Sequence, residues 1–186
     1  MKLHDAWIKR YGTPTALLSA LVALGAPPSA AAGSCEHAGT KPGKTSLANV
    51  ERATRCLINK RRASHGLDRL NGNERLEDAA TRHSRDMERR NYFSHTSAGG
   101  DTLRERVRRS GYLKGSENWT LGETLAWGDG REAKPRAIVK AWMHSPGHRA
   151  TILRGQFRDA GVGVARGAPH GGSPKAAIFT VDFGRN

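Results

Sequence analysis

The run WMHSPGHRATIL, residues 142–153, sets a hydroxyl and an imidazole on one corner of the chain. Ile138, Trp142 and Ser145 recur at helical spacing and fall on one helix face. Pro146 ends that helix, because it has no N–H to give and pushes the residue before it out of the α region. Ser145 and Pro146 then read as the N-cap and first residue of a new short turn, with His148 in its third position. In that reading the Ser145 oxygen accepts from the amide of Gly147 or His148, and the imidazole sits on a rigid corner. Two further stretches hold reactive side chains. NYFSHTSAGGDT, residues 91–102, is a loop carrying His95 between small hydroxyl residues and ahead of a glycine pair. WTLGETLAW, residues 119–127, reads as extended, with Leu121, Glu123, Leu125 and Trp127 on one face. A carboxylate between two leucines needs a partner, either local backbone amides or a histidine.

The elements that must position these residues follow from periodicity and caps. Helix 1 is expected over residues 46–63, with Ser46 as N-cap and Gly66 beyond its end. Helix 2 is expected over 74–90 behind Asn73, and Leu76, Ala80, His83 and Met87 form its buried stripe. A histidine on such a stripe reads first as a satisfied core residue. Asp101 or Thr102 caps a third helix, which buries Leu103 and Val107 and stops at Gly111. A fourth helix starts near Pro135 and runs to His144. Residues 160–165 and 176–184 read as an antiparallel hairpin, with Ala177, Phe179, Val181 and Phe183 on one face of its second strand.

The 186 residues suit one domain behind a short leader. Lys2, Lys9 and Arg10, an apolar run over 15–26 and the small residues 29–32 read as a signal peptide over residues 1–32. That run is too short for a comfortable membrane span, and no later run could cross a bilayer, so the mature chain is expected to be secreted without a transmembrane anchor. Residues 33–45 read as a flexible linker. Export makes a disulfide between Cys35 and Cys56 the expected use of the two cysteines. The rival reading, lipidation of Cys35, lacks a large aliphatic residue in the preceding Ala32-Gly33-Ser34. The net charge of +14 favours anionic partners without choosing among them.

With these segments placed, the chain resembles the bacterial branch of the CAP superfamily of cysteine-rich secretory, antigen 5 and pathogenesis-related 1 proteins, also called SCP domains. The resemblance rests on LINKRRASHGLDRL, AATRHSRDM, NYFSHTS, GETLAWG, WMHSPGHRATIL and GVGVA followed by FTVDFG, in the family's order over roughly residues 50–186. It implies an α+β fold, a three-layer α-β-α sandwich with a central, mostly antiparallel sheet, over residues 46–186. It also implies a cleft tetrad of two histidines and two acids. His95, Glu123 and His148 match three of these positions. Ser145 stands where the fourth, acidic residue is usual, and Thr124 replaces the asparagine usual after the glutamate.

Two imidazoles and one carboxylate could hold a zinc ion, with water in the fourth position, through His95, His148 and Glu123. The alternative is a purely hydrogen-bonded cluster. A serine-type hydrolase would use Ser145 as nucleophile, His148 as base and Glu123 as orienter, but no GxSxG elbow or HExxH helix is present. The stronger reading is a secreted binding module, not an enzyme. Its cleft, of His95, Glu123, Ser145 and His148 flanked by Trp119, Trp127 and Trp142, would take a lipid- or sterol-like ligand. Trp142 reads as core and Trp119 as the more exposed. Arg82, Arg85, Arg89 and Arg90 of helix 2 and Arg104, Arg106, Arg108 and Arg109 of helix 3 suggest a basic face for an anionic envelope polymer or lipid surface. Export argues against a physiological nucleic acid, and a monomer is expected.

Overall fold

The computed structural model describes residues 34–186; the expected signal peptide lies outside the described residues. Five α-helices flank one four-stranded sheet: α1 Leu47–Ala63, α2 Glu74–Arg90, α3 Leu103–Arg109, α4 Pro135–His144 and α5 Pro146–Ile152, with β1 Asn71–Gly72, β2 Thr120–Asp129, β3 Asp159–Arg166 and β4 Ala176–Arg185. The strand order is β1-β3-β4-β2. Only the two-residue β1 is parallel to its neighbour; β3–β4 and β2–β4 are antiparallel. The α+β sandwich implied by the resemblance is therefore the observed fold.

The helix boundaries follow from local chemistry. Ser46 Oγ accepts from the Asn49 amide, and Asn73 Oδ1 accepts from the amides of Arg75 and Leu76. Thr102 and Glu105 form a capping box at α3. Pro135 and Pro146 open α4 and α5, where a missing N–H costs nothing.

Each face of the sheet meets its own helices. Val162, Val164, Phe179, Val181 and Phe183 join Val50 and Ile58 of α1, Ile138 and Trp142 of α4, and Ile152 of α5 in the main core. On the other face α2 lies directly on β3, because Gly161 and Gly163 present no side chain to it. A Cβ on Gly161 would come within 2.0 Å of the Glu77 nitrogen, and one on Gly163 within 2.1 Å of the Thr81 nitrogen.

Residues 35–44, inside the stretch that reads as a flexible linker, form turns and a 3-10 helix over Pro42–Lys44. The cause is cross-linking: the Cys35–Cys56 disulfide ties this segment to α1, Ala38 is buried, and the Ala38 carbonyl accepts from the Arg136 amide at 2.9 Å.

Candidate functional site

β2 is an edge strand, and the candidate site is built around its Glu123. Side chains alternate along a strand, so Glu123 points with Leu121 and Leu125 toward the α2–α3 layer. Its side chain is only 3% exposed, yet both oxygens are answered. Oε1 accepts from His95 Nδ1 at 2.7 Å, and Oε2 accepts from the Arg106 guanidinium at 2.5 Å. Burial pushes the Glu123 carboxyl up. The His95 hydrogen bond, Arg106 and the imidazoles outweigh that and leave it below its ordinary value.

Arg106 comes from α3 and is almost wholly buried. Besides Glu123 it donates to the carbonyls of His95 at 2.8 Å and Asp101 at 3.0 Å, and so clamps the 91–101 loop at two points. Its placement corrects the expectation of a solvated basic face at this position: one arginine of that set serves the site from inside. His83 of α2 is also buried, and its Nε2 donates to the Ser94 carbonyl at 2.9 Å while standing 3.9 Å from Glu123. Desolvation keeps this imidazole below its usual pKa, hence neutral. His83 is thus the satisfied core histidine its stripe suggested, and it holds the backbone next to His95.

His95 is the exposed member, with 61% of its side chain accessible. The Glu123 hydrogen bond raises its pKa, which favours the imidazolium. His148 does not touch Glu123. Its Nδ1 shares a 2.9 Å hydrogen bond with Ser145 Oγ. Burial, and then the charge of His95, lower its pKa. The structure therefore brings His95 to Glu123 and Ser145 to His148. The two pairs are linked by the field between the imidazoles and not by direct contact with the carboxylate.

Ser145 ends α4 and precedes α5, as the Ser-Pro junction indicates, but its side chain makes no capping bond. This corrects the expected bond to the Gly147 or His148 amide. The imidazole of His148, one turn away, takes the hydroxyl instead, while the Ser145 carbonyl accepts from Arg149 N at 2.8 Å. Gly122 lets α5 and the following segment approach β2, since a Cβ there would come within 2.6 Å of Phe157. Trp142 is buried and donates from Nε1 to the Leu125 carbonyl at 2.9 Å, which joins α4 to β2. Trp119 and Trp127 are exposed, as is Phe93 beside the loop histidine. Trp119 lies under the guanidinium of Arg104.

Asp182 completes the site from below. It is the cross-strand partner of Glu123, fully buried, and neither carboxylate oxygen has a hydrogen-bond partner. Burial, and then the nearby Glu123 charge, push its pKa well up, so it is held as the neutral acid. Arg106, His83 and Asp182 were not among the residues read as a site. The available signal for Asp182 was a carboxylate between apolar neighbours in the closing strand.

These residues do not fit a metal ion. Among the described residues no group of three or more His, Cys, Asp or Glu side chains is placed to hold one. The Arg106 guanidinium already supplies positive charge to Glu123, whose other oxygen faces an imidazole N–H.

The sequence matches the family described as CAP, the Cysteine-rich secretory protein family, over residues 56–183. The chain belongs to the CAP family. Two Bacillus subtilis (strain 168) proteins are similar to this chain. "Uncharacterized protein YkwD" is 34% identical over 124 residues, 67% of this chain and 46% of its own length. "Uncharacterized membrane protein YlbC" is 35% identical over 112 residues, 59% of this chain and 30% of its own length. The chain thus spans less than half of either relative. Among solved structures, an extracellular SCP-domain protein from Bacillus anthracis is 30% identical, with a TM-score of 0.62 over 75% of this chain and 41% of that one. An outer surface protein from Borrelia burgdorferi shares the fold, at 21% identity and a TM-score of 0.58 over 71% of this chain and 89% of that one. No described helix of the CAP domain is long and apolar enough to cross a membrane.

Proposed function

We propose that this CAP protein is a secreted recognition module. It takes a lipid- or sterol-like or other envelope ligand at the cleft of His95, Glu123, Ser145 and His148. The carrying observation is that the buried acid of the cleft is spent internally: His95 and Arg106 occupy both Glu123 oxygens. The carboxylate therefore acts as a frame that presents an exposed imidazole. Phe93, Trp119 and Trp127 add exposed aromatic surface on the same loop and along the same strand. Such a setting of an apolar body with few polar groups suits binding. The solved extracellular and outer-surface neighbours support an envelope setting, and the strongly basic composition, which persists without residues 1–32, would hold the protein near anionic envelope polymers or lipid. Residues 1–32 acting as a cleaved signal peptide belong to the same reading. The test is titration with a fluorescent sterol and a fluorescent fatty acid. Saturable binding is expected, weakened in a His95→Ala/Trp127→Ala variant. Absence of binding to either probe, or equal binding by the variant, overturns the lipid reading.

A second reading rests on the Ser145–His148 hydrogen bond. With the hydroxyl not spent as a cap and the imidazole biased to its neutral form, Ser145 could act as a nucleophile. Covalent labelling by a fluorophosphonate, lost in Ser145→Ala, is the expected sign. No labelling removes it.

A further inference from the structure

An open groove of about 900 Å³ runs along α4, with its opposite wall at Gly39. Lys134, Arg136, Lys140 and His144 line it, and Ala137 and Ala141 give it a floor of small side chains. Arg136 and Lys140 are exposed and four residues apart, which sets two cations about 6 Å apart along the helix, and the exposed His144 follows at the same spacing. Among the described residues, Lys134, Arg136 and Lys140 form no ion pair, and Glu132 is the one acid on the lining. Of the eight arginines named above on helices 2 and 3, four are held in ion pairs. Arg82 is paired with Asp78, Arg90 with Asp86, Arg109 with Asp101 and Arg106 with Glu123. The wall facing α4 is fixed by the Cys35–Cys56 disulfide and by the Arg136 N–H to Ala38 carbonyl bond, so the groove is a built feature and not a gap beside a loose tail.

We propose that this groove is a second binding site, for a linear polyanion with phosphate groups repeated along its backbone. Unpaired cations strung along one helix over an alanine floor suit a narrow chain laid along it. A flat bilayer would not reach into a concavity and would be met better by protruding apolar side chains. The residues involved take no part in the cleft. The proposal deepens the reading of an anionic envelope partner by giving that partner a surface and a chemistry, and its failure would leave the cleft reading untouched.

The test titrates the full chain against fluorescein-labelled inorganic polyphosphate by anisotropy at several salt concentrations. The Arg136→Glu/Lys140→Glu variant is expected to lose about tenfold or more in affinity and to show a shallower salt slope, because it releases fewer counterions. Arg85→Glu/Arg89→Glu, with the same change of net charge, is expected to lose less than about threefold. Replacing both cysteines by serine, which frees the groove wall, is expected to weaken binding while both charge sets remain. Equal losses in the two charge-reversal variants would show a diffuse charge effect and overturn the site. So would wild-type protein that binds phosphatidylglycerol vesicles through Arg136 and Lys140 but ignores polyphosphate.

Discussion

Glu123 and Asp182 face each other across the β2–β4 pair, both cut off from water, and only Glu123 has cations to answer its charge. Two ionised carboxylates in that position would repel in a region of low dielectric. The structure resolves the conflict by keeping Asp182 neutral. Its pKa is raised above the unfolded value, so its stabilising contribution is complete below the unfolded pKa and is lost as pH rises through the folded one. Asp182→Asn removes this dependence. Urea midpoints of the variant should decline less than those of wild type toward alkaline pH, and parallel curves would show that Asp182 does not carry the effect.

Removing the central carboxylate should be severe. Glu123→Ala leaves the Arg106 guanidinium buried without its partner, at a cost of about 3–5 kcal/mol. It also frees the 91–101 loop, since Arg106 holds the His95 and Asp101 carbonyls. Chemical denaturation measures the first effect, and faster amide exchange in the loop measures the second. A loss below about 1 kcal/mol, the range of a surface pair, would mean that solvent reaches Arg106.

The two cleft histidines should titrate apart. His95 is raised by its hydrogen bond to Glu123, whereas His148 is lowered by burial and by the charge of His95. In NMR titrations His95 should hold its proton to higher pH than His148. Glu123→Gln should lower the His95 midpoint and thereby let that of His148 rise. Coincident midpoints in the wild type would place the imidazoles out of each other's field.

A second pH effect lies away from the cleft. Glu51 of α1 accepts from the Val164 amide at 3.1 Å, and its pKa is pushed up to about 7, chiefly by burial, against the lowering effect of that hydrogen bond. A raised carboxyl favours the folded state below its unfolded pKa and loses that contribution as pH climbs toward 7. Thermal melts of Glu51→Gln should therefore be flatter than wild type between about pH 4.5 and 7. A variant with an unchanged slope in that window would remove Glu51 as its source.

Much of this molecule is legible along the chain. Asn73 and Ser46 mark helix starts because a short oxygen next to an apolar-periodic run has one good use there, and the prolines at 135 and 146 mark two more. The closing hairpin reads from two short apolar runs around a Gly/Pro-rich turn. His95 and Glu123 are recognisable as a pair only through the family's motifs, since 28 residues separate them. Local patterns say nothing of which charge meets which across a fold. An arginine on a basic helix turns inward to the glutamate, an aspartate in an apolar strand goes neutral beneath it, and a serine trades its cap for an imidazole. The order of residues determined the main helices, the three long strands and the family. Packing decided the rest, because the cost of an unanswered buried charge depends on neighbours that the polymer brings together only when folded.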